Sequence, residues 1–148
     1  MSNKICAGGG HENPDAVDGN AEELIFPQEF RRGPNCEVLL TSEVHLLLEH
    51  RHEKALQKDE IEELSEVQQK CLDYVRRMSK FKNRESIKNA RSVFSACPFH
   101  PFEIAQLVNL CPESAEEAKA LIPSLEGRIG DAELEAMLNE MHKRRSYQ

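Results

Sequence analysis

The segment that most limits what this chain can fold into runs from Phe102 to Arg128, FEIAQLVNLCPESAEEAKALIPSLEGR. Local rules specify two helices there and the joint between them. Phe102, Ala105, Val108 and Cys111 recur at helical spacing, and Leu107 and Leu110 widen the stripe, which predicts a core-facing helix. Cys111-Pro112 stops it, because proline lacks the amide hydrogen a continuing helix needs and disfavours helical dihedrals in the residue before it. A second helix begins at once: Ser114 and Glu117 have the spacing of a capping box, and Glu113, Glu116 and Glu117 put negative charge at the positive end of the helix dipole. Ala115, Ala118, Leu121 and Ile122 are expected as its buried side. Pro123 ends it, and Ser124-Leu125-Glu126-Gly127 turns the chain toward a last helix. The product is a tight corner between helices.

The rest of the chain reads in the same way. Thirty per cent charged residues, no Trp and 5% aromatics, with long stretches of helical period, argue for an all-α fold rather than a sheet. Thr41 or Ser42 is expected to cap a helix running to about Gln57, with Val44, Leu47 and Leu48 on one side and Leu46 opening a second apolar direction. From Glu62 to Lys80, Leu64, Val67, Cys71, Tyr74 or Val75, and Met78 keep a helical period, and the acidic stretch before them reads as a solvated loop. Asn83 is placed to cap a helix with Ile87, Ala90 and Phe94 inward. Cys97-Pro98 ends that helix, and Pro101 suits the first turn of the next. Gly130 and a capping Asp131 open a C-terminal helix with Leu134, Met137, Leu138 and Met141 inside, closed by Lys143-Arg144-Arg145.

Six helices in a small bundle are therefore expected. Residues 1–22, with Gly8-Gly9-Gly10 and nothing to bury, read as a disordered tail, and 23–148 as one helical domain. Within it, 23–40 is a strap, 41–98 holds the first helices and 99–148 is a C-terminal helical subdomain. In the strap, Leu24-Ile25-Phe26-Pro27 is too short for a helix, and the proline confines it to an edge strand or an extended strap. It either folds over its own core or adds to a partner's sheet.

A formal net charge of −7 argues against a free-standing nucleic-acid binder. The charge is uneven, however. From Arg76 to Arg91 the sequence has Arg76, Arg77, Lys80, Lys82, Arg84, Lys88 and Arg91 against the single acid Glu85, with Tyr74 and Phe81 interleaved. Arg76, Lys80, Lys82, Arg84 and Lys88 are candidates for RNA phosphates, with Phe81 either stacking on a base or packing at a helix corner. The five cysteines, Cys6, Cys36, Cys71, Cys97 and Cys111, are widely and irregularly spaced, as reduced intracellular thiols are. No apolar run approaches the roughly eighteen residues of a membrane span.

Catalytic signatures are not found: the chain has no Gly-rich phosphate loop, no Gly-x-Ser-x-Gly and no His-Glu-x-x-His. His45, Glu49 and His52 share one helical face, which reads as a solvated face with a His–Glu pair rather than a metal site. Cys97, His100 and Cys111 offer only three ligands where a structural zinc needs four. No metal, cofactor or small-molecule substrate is expected.

Four blocks carry a resemblance. Leu24-Ile25-Phe26-Pro27, Ser42 to His50 (SEVHLLLEH), Phe81 to Glu85 (FKNRE) and Leu110 to Leu125 (LCPESAEEAKALIPSL) closely resemble the fourth subunit of eukaryotic RNA polymerase II, over residues 22–148. The resemblance implies a helical domain of the helicase-associated kind, without chemistry of its own, paired with the polymerase's seventh subunit in a stalk beside the RNA exit channel. It implies a nuclear protein that supports initiation and handles nascent RNA. By analogy Leu24, Ile25 and Phe26 of the strap, and Val44, Leu46 and Leu47 of the first helix, would lie against that partner. The other reading of the residues is a self-sufficient helical RNA-binding module that uses the basic run 76–91.

Overall fold

The structure is a computed structural model that describes residues 19–27, 38–57 and 64–146. Expectations placed on the tail before residue 19, on the strap between 28 and 37 and on the acidic loop 58–63 lie outside the described residues. The chain divides into two units, Met1–Cys36 and Glu37–Gln148. In the first, Asn20 and Ile25 exchange both backbone hydrogen bonds at 2.8 Å, and the Asn20 side chain accepts the Glu22 amide, so 20–25 closes as a short turn with Leu24 at φ 56°.

Among the described residues the second unit holds six helices: α1 (Thr41–Gln57), α2 (Glu66–Met78), α3 (Arg84–Phe94), α4 (Pro101–Leu110), α5 (Ala115–Leu121) and α6 (Asp131–Ser146), with a 3-10 turn at Pro123–Leu125. The fold is all-α, as the periodicity predicts, and among the described residues there is no strand. Several ends fall where side chains place them. Asn83 accepts the Ser86 amide at the start of α3, Pro101 occupies the first turn of α4, and Ser114 accepts the Glu117 amide at the start of α5.

Six details differ from the sequence reading. Thr41 and Ser42 are the first two residues of α1 and not its cap, and the Ser42 hydroxyl accepts the Phe81 amide. Ser65, in extended geometry, forms a reciprocal box with Gln68 and starts α2 at Glu66, later than Glu62. The Glu117 carboxylate reaches back to the Glu113 amide at 2.7 Å, not to Ser114. Asp131 is not the cap but the first residue of α6, and its carboxylate takes the Lys119 ammonium. Leu110 and Leu121, expected inside, are about half exposed. Lastly, on α2 the buried residues are Leu72 and Val75, while Val67, Cys71, Tyr74 and Met78 face water. The apolar arc of α2 is wider than its main neighbour α1 can cover, so only the half turned toward α1 is buried.

The core sits between α3 and α6. Ile87, Ala90 and Phe94 of α3 pack with Leu134, Leu138 and Met141 of α6, and Leu107 and Val108 of α4, Ala118 of α5 and Ile122 just after α5 close it. Each large side chain fully withdrawn from water here contributes about 1.5–3 kcal/mol. Phe81, between α2 and α3, is 1% exposed, and its amide donates to the Ser42 hydroxyl. Phe94 meets Phe99 edge to face at 6.0 Å. The α4–α5 joint turns through Cys111, which adopts the left-handed conformation at φ 51° and ψ 57° while its amide still bonds Leu107. Its thiol lies against the Val108 carbonyl, and burial pushes the thiol pKa up.

Candidate interaction site

Two helical faces of the second unit form an open groove. On α1, Glu43, Leu46, Leu47 and His50 stand at i, i+3, i+4 and i+7. On α3, Arg84, Ile87, Lys88 and Arg91 repeat the same spacing. Leu39, just before α1, completes the lining of a cavity of about 660 Å³. Its floor is aliphatic and its α3 wall is cationic.

One contact fastens the two walls. Arg91 donates from Nε and Nη2 to the two Glu43 carboxylate oxygens, each at 2.8 Å, and from Nη2 to the Val38 carbonyl. Glu43 also accepts the Leu40 amide at 2.7 Å. Burial pushes the Glu43 carboxyl up, but the Arg91 hydrogen bond, the Leu40 amide and the Arg91 charge outweigh burial and hold it below the ordinary value of 4.5. A carboxyl lowered by folding contributes stability that is present above its unfolded value and is lost as pH falls through the folded one. Thermal melts should therefore show the native chain losing stability below about pH 4.5 more steeply than Glu43→Gln, and parallel curves would contradict the clamp.

The groove unites residues from two separate sequence readings. Leu46 and Leu47, candidates for partner contact, lie on one wall, and Arg84 and Lys88, candidates for RNA contact, lie on the other. The remaining candidates are elsewhere. Val44 is half-buried outside the groove. Leu24, Ile25 and Phe26 belong to the N-terminal unit. Arg76 is on α2, with Nε 3.5 Å from Glu49 of α1, and Lys80 and Lys82 flank Phe81 in the α2–α3 connection. With Phe81 buried, the base-stacking role does not hold, and packing at a helix corner is what the residue does.

The His–Glu pair expected on α1 is present: His45 Nε2 lies 3.0 Å from Glu49 Oε1, although the approach is not aligned as a hydrogen bond. His100 has another role. It is the N-cap of α4, its Nδ1 accepting the Phe102 amide while Glu103 takes the His100 amide at 2.7 Å. Sequence reasoning missed the groove itself, the Arg91–Glu43 clamp and the burial of Glu103. The repeated i, i+3, i+4, i+7 spacing on α1 and α3, and the capping-box spacing from His100 to Glu103, were the available signals.

Residues 38–145, which include all six helices up to the last residue of α6, match the family model described as RNA polymerase Rpb4. The chain is 40% identical over 127 residues to DNA-directed RNA polymerase II subunit 4 of Arabidopsis thaliana, covering 82% of this chain and 90% of that protein. It is 37% identical to the subunit rpb4 of Dictyostelium discoideum, covering 84% and 87% of the two chains. To the Schizosaccharomyces pombe subunit rpb4 it is 33% identical, over 91% of this chain and 98% of that one.

Proposed function

The chain belongs to the RNA polymerase Rpb4 family, and on that premise we propose that it is a non-catalytic subunit of nuclear RNA polymerase II. It pairs with the seventh subunit as a heterodimer in the polymerase stalk, and through it joins the core enzyme. There it supports initiation and the handling of nascent RNA. The observation that carries this reading is the family match across residues 38–145, joined to 40% identity with a polymerase II subunit over most of both chains.

The proposed contacts with the seventh subunit are Leu24, Ile25 and Phe26 of the N-terminal unit and Val44, Leu46 and Leu47 of α1. The half-exposed Leu47 supports this reading, since such surface is costly to leave in water. RNA contact through Arg84 and Lys88, with Lys82, Lys80 and Arg76 nearby in sequence, is a secondary role that fits weak, salt-sensitive phosphate binding. A self-sufficient RNA module is disfavoured by the burial of Phe81 and by the engagement of Arg91 with Glu43.

Co-expression with a seventh-subunit homologue tests the pairing. A stable one-to-one complex is expected on size exclusion, with Phe26→Asp weakening it by about tenfold or more while the helical spectrum is unchanged. A chain that elutes alone beside its supposed partner would refute the pairing.

A further inference from the structure

We propose that the α1–α3 groove seats an acidic amphipathic helix of a partner protein, with its apolar side chains against Leu39, Leu46 and Leu47 and its carboxylates on Arg84 and Lys88. The inference rests on the reading of α1 as a partner-facing helix and adds the chemistry of what lies there. Geometry supplies the first argument. Each wall is a two-turn helical face, about 11 Å long, so the trough between them accepts two turns of a third helix anchored at i, i+3, i+4 and i+7.

Charge supplies the second. Glu43, the acid on the α1 wall, is already neutralised by Arg91. Arg84 and Lys88 stand one turn apart on α3, both exposed, and among the described residues neither has an ion pair. A chain of net charge −7 thus presents a locally cationic groove, which favours acids one turn apart on the incoming helix. The aliphatic floor rules against a purely charged ligand, since Leu39 and Leu47 are 44% and 50% exposed. RNA is the poorer fit, because among the described residues no Phe, Tyr or Trp lines the groove to stack a base, and His50 is its one ring.

The probe is a fluorescein-labelled amphipathic peptide with Leu and Phe along one helical face and Glu along the other, titrated against the full chain by anisotropy. Affinity should fall about tenfold or more in the double variant Arg84→Glu, Lys88→Glu, and by a similar factor in Leu47→Glu. A peptide of the same composition with its apolar stripe broken should bind about tenfold more weakly. Arg84 and Lys88 are surface residues, so their reversal decides the matter even if Leu47→Glu unfolds.

Peptide affinity indifferent to both changes would overturn the proposal. So would single-stranded RNA binding through Arg84 and Lys88 without loss in Leu47→Glu, or a dimer of this chain dissolved by the same variants. The pairing is read separately: if Phe26→Asp removes the seventh subunit and peptide affinity stays intact, the groove stands by itself. A seventh subunit retained while the peptide fails to bind refutes the groove alone.

Discussion

Replacing Glu103 with alanine is expected to lower the stability of the helical unit by about 3 kcal/mol, among the larger losses a single substitution causes. Glu103 is fully buried, and three donors meet at its carboxylate. Oε2 accepts the His100 amide that opens α4, and Oε1 accepts the Ser124 hydroxyl from the 3-10 turn and Arg128 Nη1 from the loop beyond it. Arg128 also reaches the Pro98 carbonyl before α4. Alanine leaves the Ser124 hydroxyl and the His100 amide without their acceptor, and a buried donor without a partner costs its full desolvation. The carboxylate also faces the positive end of α4, so its loss removes a favourable dipole interaction.

Glu103→Gln should cost less than alanine, yet still measurably, since it keeps one acceptor oxygen and places an amide donor where donors already point. Arg128→Ala should be comparable to Glu103→Ala, because it strands a buried charge. In a double-mutant cycle the pair should fall well short of the sum of the singles. Calorimetric melts decide it: a Tm for Glu103→Ala within a degree or two of the native chain would show that the network contributes little, whereas about 3 kcal/mol corresponds to a drop of roughly 10 °C or more.

Phe81→Ala should be as damaging, at about 3–5 kcal/mol, because a fully buried phenyl leaves a cavity its neighbours fill only in part. The effect separates two roles that the sequence alone leaves open. If Phe81 only packs, the folded fraction of the variant binds single-stranded RNA as the native chain does, since its ring never reaches solvent. If the ring stacked on a base, affinity would fall while stability barely changed. Urea unfolding paired with an RNA titration at fixed salt resolves the two, and the buried position predicts the first.

What could be read beforehand follows from how local each decision is. The start of α3 at Asn83, the start of α4 at Pro101 and the corner at Cys111-Pro112 depend on one or two neighbouring residues, so they were legible. Which half of the α2 arc is buried depends on where α1 lies, and periodicity alone picked the exposed Val67, Cys71 and Met78 over Leu72 and left Tyr74 and the buried Val75 as alternatives. Glu103 was hidden because an acid in a first helical turn normally signals a dipole partner in water. Its burial needs Ser124 and Arg128, which arrive more than twenty residues later. The groove was half visible. Leu46 stood out as a second apolar direction, Leu47 as a partner contact by analogy, and Arg84 and Lys88 as excess charge, but only the packing of α1 on α3 makes them one site.

Membership of the polymerase II assembly through a paired subunit can be tested directly. The most direct measurement is to tag the full chain, purify it from nuclear extract at moderate salt and quantify by mass spectrometry what remains bound in stoichiometric amounts. A seventh-subunit homologue at one to one is expected, together with the large polymerase subunits. A chain recovered alone, or with RNA and no polymerase subunit, would contradict it.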